Sequence, residues 1–292
     1  DLDSSLVGSE MCIRDRPRTG ASLVGLIPGR SVSKLPPSIS VQRRSDPVAL
    51  MDALVNVLDA FLQTRVQQQH LRPLGLATGR TMEPLYAALC ARLKRWPALD
   101  LQWLREHWCS FNLDEYLGLP VGDPRSFAAY MQTHLAGPLD LPTDRVRLPD
   151  GKASDPGLEA RRYSTAVQQA GGLGLQLLGL GSNGHVGFNE PPSGVDSPCR
   201  VVTLQAATRI QNADAFGGDS EAVPKQAITL GLQEILSAEV IHLIVTGSAK
   251  AEILRAALLE PSTDLVPASW LQQHPQVHVW VDDAAYARLS AP

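Results

Sequence analysis

The chain has 292 residues, of which 44% are hydrophobic and only 5% aromatic, so a large core would be packed mainly from aliphatic side chains. The net charge of −4 and the pI of about 6.0 argue against a basic nucleic-acid-binding surface. An anionic ligand would therefore be held by a few placed cations and backbone amides.

The cysteines predict neither a zinc site nor a disulfide framework, because all four are widely spaced and none belongs to a CxxC pair. Reduced thiols in a cytoplasmic protein are the simplest interpretation. We find no apolar run as long as a membrane span and no basic segment followed by an apolar one, so we expect neither a membrane protein nor a secretory signal.

Residues 1–44 mix Ser, Arg, Pro and Gly without sustained periodicity, which predicts a poorly ordered or non-native extension. Residues 5–16 also resemble translated sequencing adapter, so we assign no function to them. Residues 45–292 are predicted to form one catalytic domain.

Regular patterns begin at Asp46, which can cap a helix that starts with Pro47. Further along, buried strands alternate with amphipathic helices of about 10 to 15 residues, which predicts an α/β fold. We expect a single-domain, Rossmann-like three-layer sandwich with a mainly parallel sheet and helices on both faces. The predicted strands are 71–77, 107–113, 173–180, 240–245 and 277–281, and the predicted later helices are 83–95, 126–135, 155–170 and a segment ending at 259.

The most informative segment is Leu178–Pro191, a glycine-rich loop that follows a predicted buried strand. Loops at the carboxyl ends of parallel strands hold the chemistry of many α/β proteins. His185 and Glu190 are close enough in sequence to pair, so the carboxylate could orient the imidazole and raise its basicity. A surface turn with a stray histidine is the alternative, and the position after a buried strand argues against it.

Two other loops suit an anion. Thr78-Gly79-Arg80-Thr81 opens a helix, and its free N–H groups and hydroxyls would suit a phosphate. Lys250 also follows a predicted strand at a helix start, where an anion would relieve its repulsion with the helix dipole. An ordinary helix cap and a solvated surface lysine remain the alternatives for these two features.

A further loop carries Asp114 and Glu115 at the end of a predicted strand. Adjacent strand residues point to opposite sides, so we expect only one of the two to reach a site. A partly desolvated carboxylate there could act as a general base. Taken alone, an Asp-Glu pair is more often a cap or a turn.

Taken together, these loops resemble the glucosamine-6-phosphate deaminase family, within the larger group that also contains 6-phosphogluconolactonase. The lactonase branch lacks the Asp-Glu-Tyr and Phe-Asn-Glu-Pro elements that this chain has, so the deaminase branch fits better. The segments that carry the resemblance are Ala77–Thr81, Phe111–Pro120 and Gly179–Pro191, with weaker support from Thr208–Asn212, Val223–Thr229 and Gly247–Lys250.

The resemblance implies a small-molecule amino-sugar phosphate as substrate and a reaction that needs no metal or redox cofactor. His185 would assist ring opening, with Glu190 to orient it and Asn183 to complete the hydrogen-bond set. Asp114 would shuttle a proton between carbons 2 and 1. The resemblance also implies that the segment from about 204 to 224 acts as a lid.

Two positions depart from the family pattern. The family has a phosphate-binding arginine where this chain has Asp214, and our hypothesis is that Arg80 supplies the missing cation. Activated hexameric members carry a basic residue where this chain has Val202, so we predict no activation by N-acetylglucosamine 6-phosphate.

Three alternatives to a glucosamine-6-phosphate deaminase remain open from the sequence. They are a deaminase-isomerase acting on galactosamine 6-phosphate, a 6-phosphogluconolactonase, and a non-catalytic sugar-phosphate sensor. A sensor would need neither a base nor a ring-opening imidazole, which argues against it. The family contains monomers and hexamers, so a homo-oligomer is possible.

Overall fold

The computed structural model describes residues 35–289, which are built around a seven-stranded sheet. All neighbouring strands in this sheet run parallel. The expected α/β architecture with a mainly parallel sheet is therefore confirmed. In spatial order, the strands are β1 (Ile39–Arg44), β10 (Val277–Asp282), β9 (Ile241–Val245), β6 (Leu175–Gly179), β2 (Leu74–Leu76), β3 (Ser110–Asn112) and β5 (Val146–Arg147).

Strand β1 corrects the predicted start of the domain. Residues 39–44 were assigned to a disordered extension, but they pair with β10 from Ile39 opposite Val277 to Arg44 opposite Asp282. Most of their side chains are half-buried or exposed, as expected of an edge strand, so the segment lacks the apolar signature of an interior strand. Residues 1–34, the rest of the predicted extension, lie outside the described residues.

A second, antiparallel sheet was not predicted. It contains three short strands in the order β4 (Asp114–Tyr116), β8 (Gln226–Thr229) and β7 (Arg200–Thr203). Strand β4 begins only one residue after Asn112 ends β3, so the chain leaves the parallel sheet at Leu113. The strand predicted for residues 107–113 was too long at its start, because a helix continues to His107.

Ten α-helices complete the described part of the chain. Asp46 caps the first of them as predicted, since its carboxylate accepts the Ala49 N–H at 2.9 Å. That helix is long and apolar enough, by length and composition alone, to cross a membrane, but its apolar side packs into the core. The helices are α1 (Pro47–Gln67), α2 (Glu83–Leu93), α3 (Ala98–His107), α4 (Phe127–Met131), α5 (Gly137–Leu139), α6 (Pro156–Gln169), α7 (Ala206–Asn212), α8 (Leu232–Leu236), α9 (Ala251–Leu259) and α10 (Asp283–Tyr286).

The strand order locates the site. From β2 the chain winds to β3 and β5, and then returns to place β6 on the other side of β2 before continuing to β9 and β10. This reversal between β2 and β6 is a topological switch point, where α/β proteins bind ligands. Every residue of β2, β3 and β9 is buried, so both faces of the sheet are covered.

Candidate active site

A cavity of about 540 Å³ lies at the carboxyl ends of the four neighbouring strands β9, β6, β2 and β3. Each of the four predicted loops contributes to its wall, as the strand order requires. Seven of the nine predicted site residues line it: Thr78, Gly79, Arg80, Thr81, Asp114, His185 and Lys250. Asn183 and Glu190 do not line this cavity, and they lie behind its wall on the β6 loop.

His185 is held in one orientation by Asn183. Nδ1 of the ring lies 2.6 Å from Asn183 Oδ1, and the backbone N–H of His185 donates to the same oxygen at 3.3 Å. An amide oxygen can only accept, so Nδ1 carries the proton, and Nε2 of the neutral ring keeps its lone pair. Burial, with the nearby charge of Lys250, lowers the pKa of His185 to about 4. The imidazole is thus neutral near pH 7.

Gly181 provides the space for this ring. A Cβ at position 181 would overlap Cε1, Nδ1 and Nε2 of His185, so only glycine allows the imidazole to lie flat against the backbone. The N–H of Gly181 also donates to the carbonyl of His185 at 2.9 Å, which closes the loop. The glycine density of the motif therefore has a specific cause at this position.

Asp114 faces the cavity but is 5% exposed. Burial, reinforced by the charge of Glu115, raises its pKa to about 8 despite the opposing influence of the Phe188 N–H, which donates to Thr229 Oγ1. The loop after β6 packs closely here: a Cβ on Gly187 would lie 3.4 Å from Asp114 Oδ2 and 3.2 Å from Thr229 Oγ1. A carboxylate in this environment is a much stronger base than an exposed one.

Glu115 points away from the cavity, as expected for its neighbour on a strand. Its carboxylate accepts the N–H groups of Tyr116, Phe127 and Ala128 at 2.8–3.0 Å. The last two belong to the first turn of α4, so Glu115 anchors that helix. Of the two adjacent acidic residues, only Asp114 is part of the cavity wall.

The predicted pairing of Glu190 with His185 is wrong for this structure. Glu190 Oε2 accepts the backbone N–H of Gln205 at 2.8 Å, while Asn183 occupies the ring Nδ1. The other carboxylate oxygen, Oε1, is buried without a hydrogen-bond partner among residues 35–289. Glu190 therefore ties the β6 loop to the start of α7 and keeps one acceptor atom unused.

Two tyrosine hydroxyls fix the backbone of the loop 78–81 and of the residue before it. The Tyr86 hydroxyl donates to the carbonyl of Ala77 at 2.6 Å, and the Tyr130 hydroxyl donates to that of Gly79 at 2.9 Å. Gly79 has a φ of +112°, which favours glycine. These two hydrogen bonds fix the backbone of the loop. All four loop residues line the cavity, where they can bind an anion.

Lys250 approaches the cavity from the other side, at the end of the 3₁₀ turn Ser248–Lys250. It is half-buried, and burial lowers its pKa. The preceding turn is fastened to β10, because both carboxylate oxygens of Asp282 accept the N–H of Gly247, at 2.9 and 3.1 Å. The sequence contained no indication of this role for Asp282.

The segment 204–216, named here the covering segment, contributes four residues to the cavity wall: Gln211, Asn212, Asp214 and Ala215. Asn212 donates to the Tyr116 hydroxyl at 3.0 Å, and the Phe216 ring lies 5.7 Å from that of Tyr116. Asp214, in the turn Ala213–Phe216, forms an ion pair with Arg80 at 2.8 Å. Arg125 lies 5.1 Å above the Phe216 ring.

The cavity wall contains Arg125 and Tyr130, which sequence reasoning missed. Arg125 is oriented by Asp123, whose carboxylate accepts from Nε at 2.8 Å and from Nη2 at 2.6 Å. Both cavity residues lie in or near the α4 segment, beyond the residues that directly follow a strand. No local motif in the sequence marks them.

The family model for glucosamine-6-phosphate isomerases and 6-phosphogluconolactonases matches residues 45–280. The chain belongs to this family. A glucosamine-6-phosphate deaminase of Shouchella clausii is 43% identical over 226 residues, which are 77% of this chain and 89% of the relative. One from Streptomyces avermitilis is 43% identical over 74% of this chain and 81% of its own length.

Solved structures agree with this membership. The structure of a monomeric glucosamine-6-phosphate deaminase has a TM-score of 0.77 and 35% identity, and the match covers 85% of this chain and 99% of that one. A 6-phosphogluconolactonase from Leishmania guyanensis has a TM-score of 0.67 at 22% identity, covering 86% and 99% of the two chains, which shows the shared fold alone. The deaminase relatives therefore bear on the chemistry of the site, whereas the lactonase bears only on the architecture.

Proposed function

We propose that this family member converts glucosamine 6-phosphate and water to fructose 6-phosphate and ammonia. The observation that carries the proposal is the pair of groups facing one cavity: a buried carboxylate whose pKa is raised, Asp114, and a neutral imidazole held by an amide, His185. A cavity of about 540 Å³ falls in the range typical of small-molecule sites.

His185 is suited to ring opening. The neutral Nε2 accepts the proton of the anomeric hydroxyl and can deliver a proton to the ring oxygen, which breaks the bond between that oxygen and carbon 1. Because Nδ1–H is held by Asn183, the lone pair stays directed from one fixed ring position. In this proposal Asn183 is a positioning residue.

Glu190 supports the same step from outside the cavity wall. Its Oε2 accepts the N–H of Gln205, which holds the β6 loop that carries His185 against the start of α7. Its other oxygen, Oε1, is buried and has no hydrogen-bond partner among the described residues. In this proposal Glu190 is therefore a positioning residue, like Asn183.

Asp114 is suited to the isomerisation. As the carboxylate it takes the proton from carbon 2 while the aldehyde oxygen takes up a proton, which gives an enolamine. The proton taken by Asp114 then returns to carbon 1, which turns the enolamine into an iminium at carbon 2. Water then adds at carbon 2, and the carbon–nitrogen bond breaks with release of ammonia. Desolvation makes this carboxylate basic enough for a carbon acid.

The phosphate would lie between the loop Thr78–Thr81 and Lys250. The support is that both line the cavity, after the strands β2 and β9 that flank β6, and that the loop brings free N–H groups and hydroxyls while Lys250 brings an ammonium. Arg80 brings a second cation to this end. We propose a cytoplasmic location.

The proposal is tested by measuring ammonia release in three reactions: with glucosamine 6-phosphate, with galactosamine 6-phosphate, and without a sugar phosphate. Asp114→Asn is the matched inactive variant. We expect turnover of glucosamine 6-phosphate by the wild-type protein only. Release from galactosamine 6-phosphate alone would assign the other amino sugar. Hydrolysis of 6-phosphogluconolactone without ammonia release would overturn the proposal, and binding of each sugar phosphate without turnover would indicate a sensor.

A further inference from the structure

Arg80 and Asp214 form an ion pair in the wall of the cavity. Arg80 belongs to the loop between β2 and α2, and Asp214 belongs to the turn Ala213–Phe216 of the covering segment. Arg80 Nη1 donates to Asp214 Oδ2 at 2.8 Å, and both side chains line the cavity. The contact is therefore part of the wall that an entering anion meets.

Only one edge of the guanidinium is used by this contact. Within residues 35–289, Nε and Nη2 of Arg80 make no hydrogen bond, and the side chain is 74% exposed. A guanidinium has five N–H donors in a plane, so one of its edges can hold a carboxylate while another binds a phosphate. Arg80 can thus serve two anions at once.

We propose that Asp214 is a positioning residue that holds Arg80 against the cavity mouth, so that the free edge of the guanidinium binds the phosphate of the substrate. The proposal rests on the amino-sugar phosphate function proposed above. An acidic residue beside a phosphate would ordinarily weaken binding by like-charge repulsion. Here the charge of Arg80 offsets much of the negative charge of Asp214. The ion pair also limits the many rotamers that the long, exposed Arg80 side chain would otherwise adopt.

The rest of the turn supports this role, because Asp214 is held in place independently of Arg80. Asn212 is bonded to Tyr116, and Phe216 packs between Tyr116 and Arg125. The carboxylate is thus presented from an anchored turn. The two glycines that follow, Gly217 and Gly218, have φ of +70° and +84°, so the chain turns away directly after the anchor.

The test asks whether Asp214→Asn weakens or strengthens phosphate binding in two backgrounds, the wild type and Arg80→Gln. Binding is measured as the Kd of inorganic phosphate by calorimetry and as the KM of the sugar phosphate. Arg80→Gln should weaken phosphate binding roughly tenfold, because a charge-assisted contact is lost. Asp214→Asn should weaken it roughly two- to fivefold in the wild-type background, as expected for loss of an exposed ion pair. In the Arg80→Gln background, Asp214→Asn should instead strengthen binding, since only repulsion remains.

The matched control is Asp219→Asn, which removes one exposed charge from the same segment outside the cavity wall and keeps an oxygen for the N–H of Glu221. We expect little change in either constant. Stronger phosphate binding by Asp214→Asn when Arg80 is present would overturn the proposal, as would equal effects in both backgrounds. Phosphate binding requires no turnover. If the effect of Asp214→Asn on phosphate binding reverses between the two backgrounds but no ammonia is released, the proposed function is refuted and this inference stands. If ammonia is released but the effect does not reverse, this inference is refuted and the proposed function stands.

Discussion

Nδ1 of His185 lies 2.6 Å from Oδ1 of Asn183, and this contact fixes the protonation of the only imidazole in the described cavity wall. Because the partner is a neutral amide, it orients the ring without stabilising the imidazolium. The pKa of about 4 follows from burial and from Lys250, with no carboxylate to oppose them. The chain thus keeps a neutral imidazole at pH values well above 4, which include pH 7.

Asn183→Asp should raise the pKa of His185, because a carboxylate bonded to Nδ1–H favours the charged ring. An opposite charge within hydrogen-bond distance typically shifts a pKa by roughly 1–3 units. The Cε1 proton resonance of His185, followed by NMR against pH, gives the value directly. Asn183→Leu is the control, since it removes the hydrogen bond without adding charge and should not raise the pKa. An unchanged titration in Asn183→Asp would contradict the assigned contact.

Gly181→Ala should reduce kcat by roughly a hundredfold, because the new Cβ displaces the His185 ring and a shift of about 1 Å can have that effect. Gly179→Ala is the matched control in the same motif. Its Cβ would be 3.8 Å from the nearest atom, Met82 Cε, which is ordinary contact. Steady-state kinetics of the two variants checks the expectation. Equal loss of activity in both would mean that the motif is sensitive to any added methyl group.

The pH dependence of kcat/KM should show an ascending limb with an apparent pKa near 8. Asp114 must be ionised to take a proton from carbon, and its pKa in the free protein is raised to about 8. Below that value the carboxyl group is protonated and inactive. His185 stays neutral above about 4 and adds no limb in this range. A plateau that already begins near pH 5 would show that the acting base does not have the raised pKa assigned to Asp114.

The sequence was sufficient to predict the parallel sheet and the loops that form the site, because long apolar strands and helix caps are local signals. Leu175–Gly179 and Ile241–Val245 are mainly apolar, each with one polar residue, and each is followed by a glycine-containing loop. Once parallel strands are inferred, their carboxyl ends must share an edge. The convergence of Asp114, His185 and Lys250 follows from that geometry.

The short antiparallel sheet and edge strand β1 could not be predicted in the same way. β4 has three residues, two of them acidic, and its partner strand β8 pairs with it across more than 100 positions of the chain, from Asp114 opposite Thr229 to Tyr116 opposite Ala227. The pairing of Glu190 failed for a related reason: proximity in sequence suggested His185, but the start of α7 offers a free backbone N–H at Gln205 that the carboxylate binds. The ion pair of Arg80 with Asp214 spans 134 positions and had no local signal either.

N-acetylglucosamine 6-phosphate should not activate the protein. Val202 lies on β7 opposite Ala227, where activated family members are expected to have a basic residue, so a phosphate near Arg200 would find one cation fewer. Rates measured at several substrate concentrations with and without the compound should coincide. Val202→Lys provides the comparison, and a sigmoidal rate curve made hyperbolic by the compound in the wild-type protein would contradict the prediction.

Asp114 should also make stability depend on pH. Its pKa is raised on folding, so the unfolded chain ionises near 4 while the folded protein resists ionisation up to about 8. Its favourable contribution is complete below about pH 4 and is lost progressively as pH rises to 8. Asp114→Asn cannot ionise, so relative to the wild type its melting temperature should rise between pH 5 and pH 9. Asp123→Asn is the opposite control, because Arg125 lowers the pKa of Asp123 to about 2, and its carboxylate contributes stability above about pH 4. If the difference between Asp114→Asn and the wild type did not change with pH, Asp114 would be ionised at ordinary pH in the folded protein, and the stronger base assigned to it would not exist.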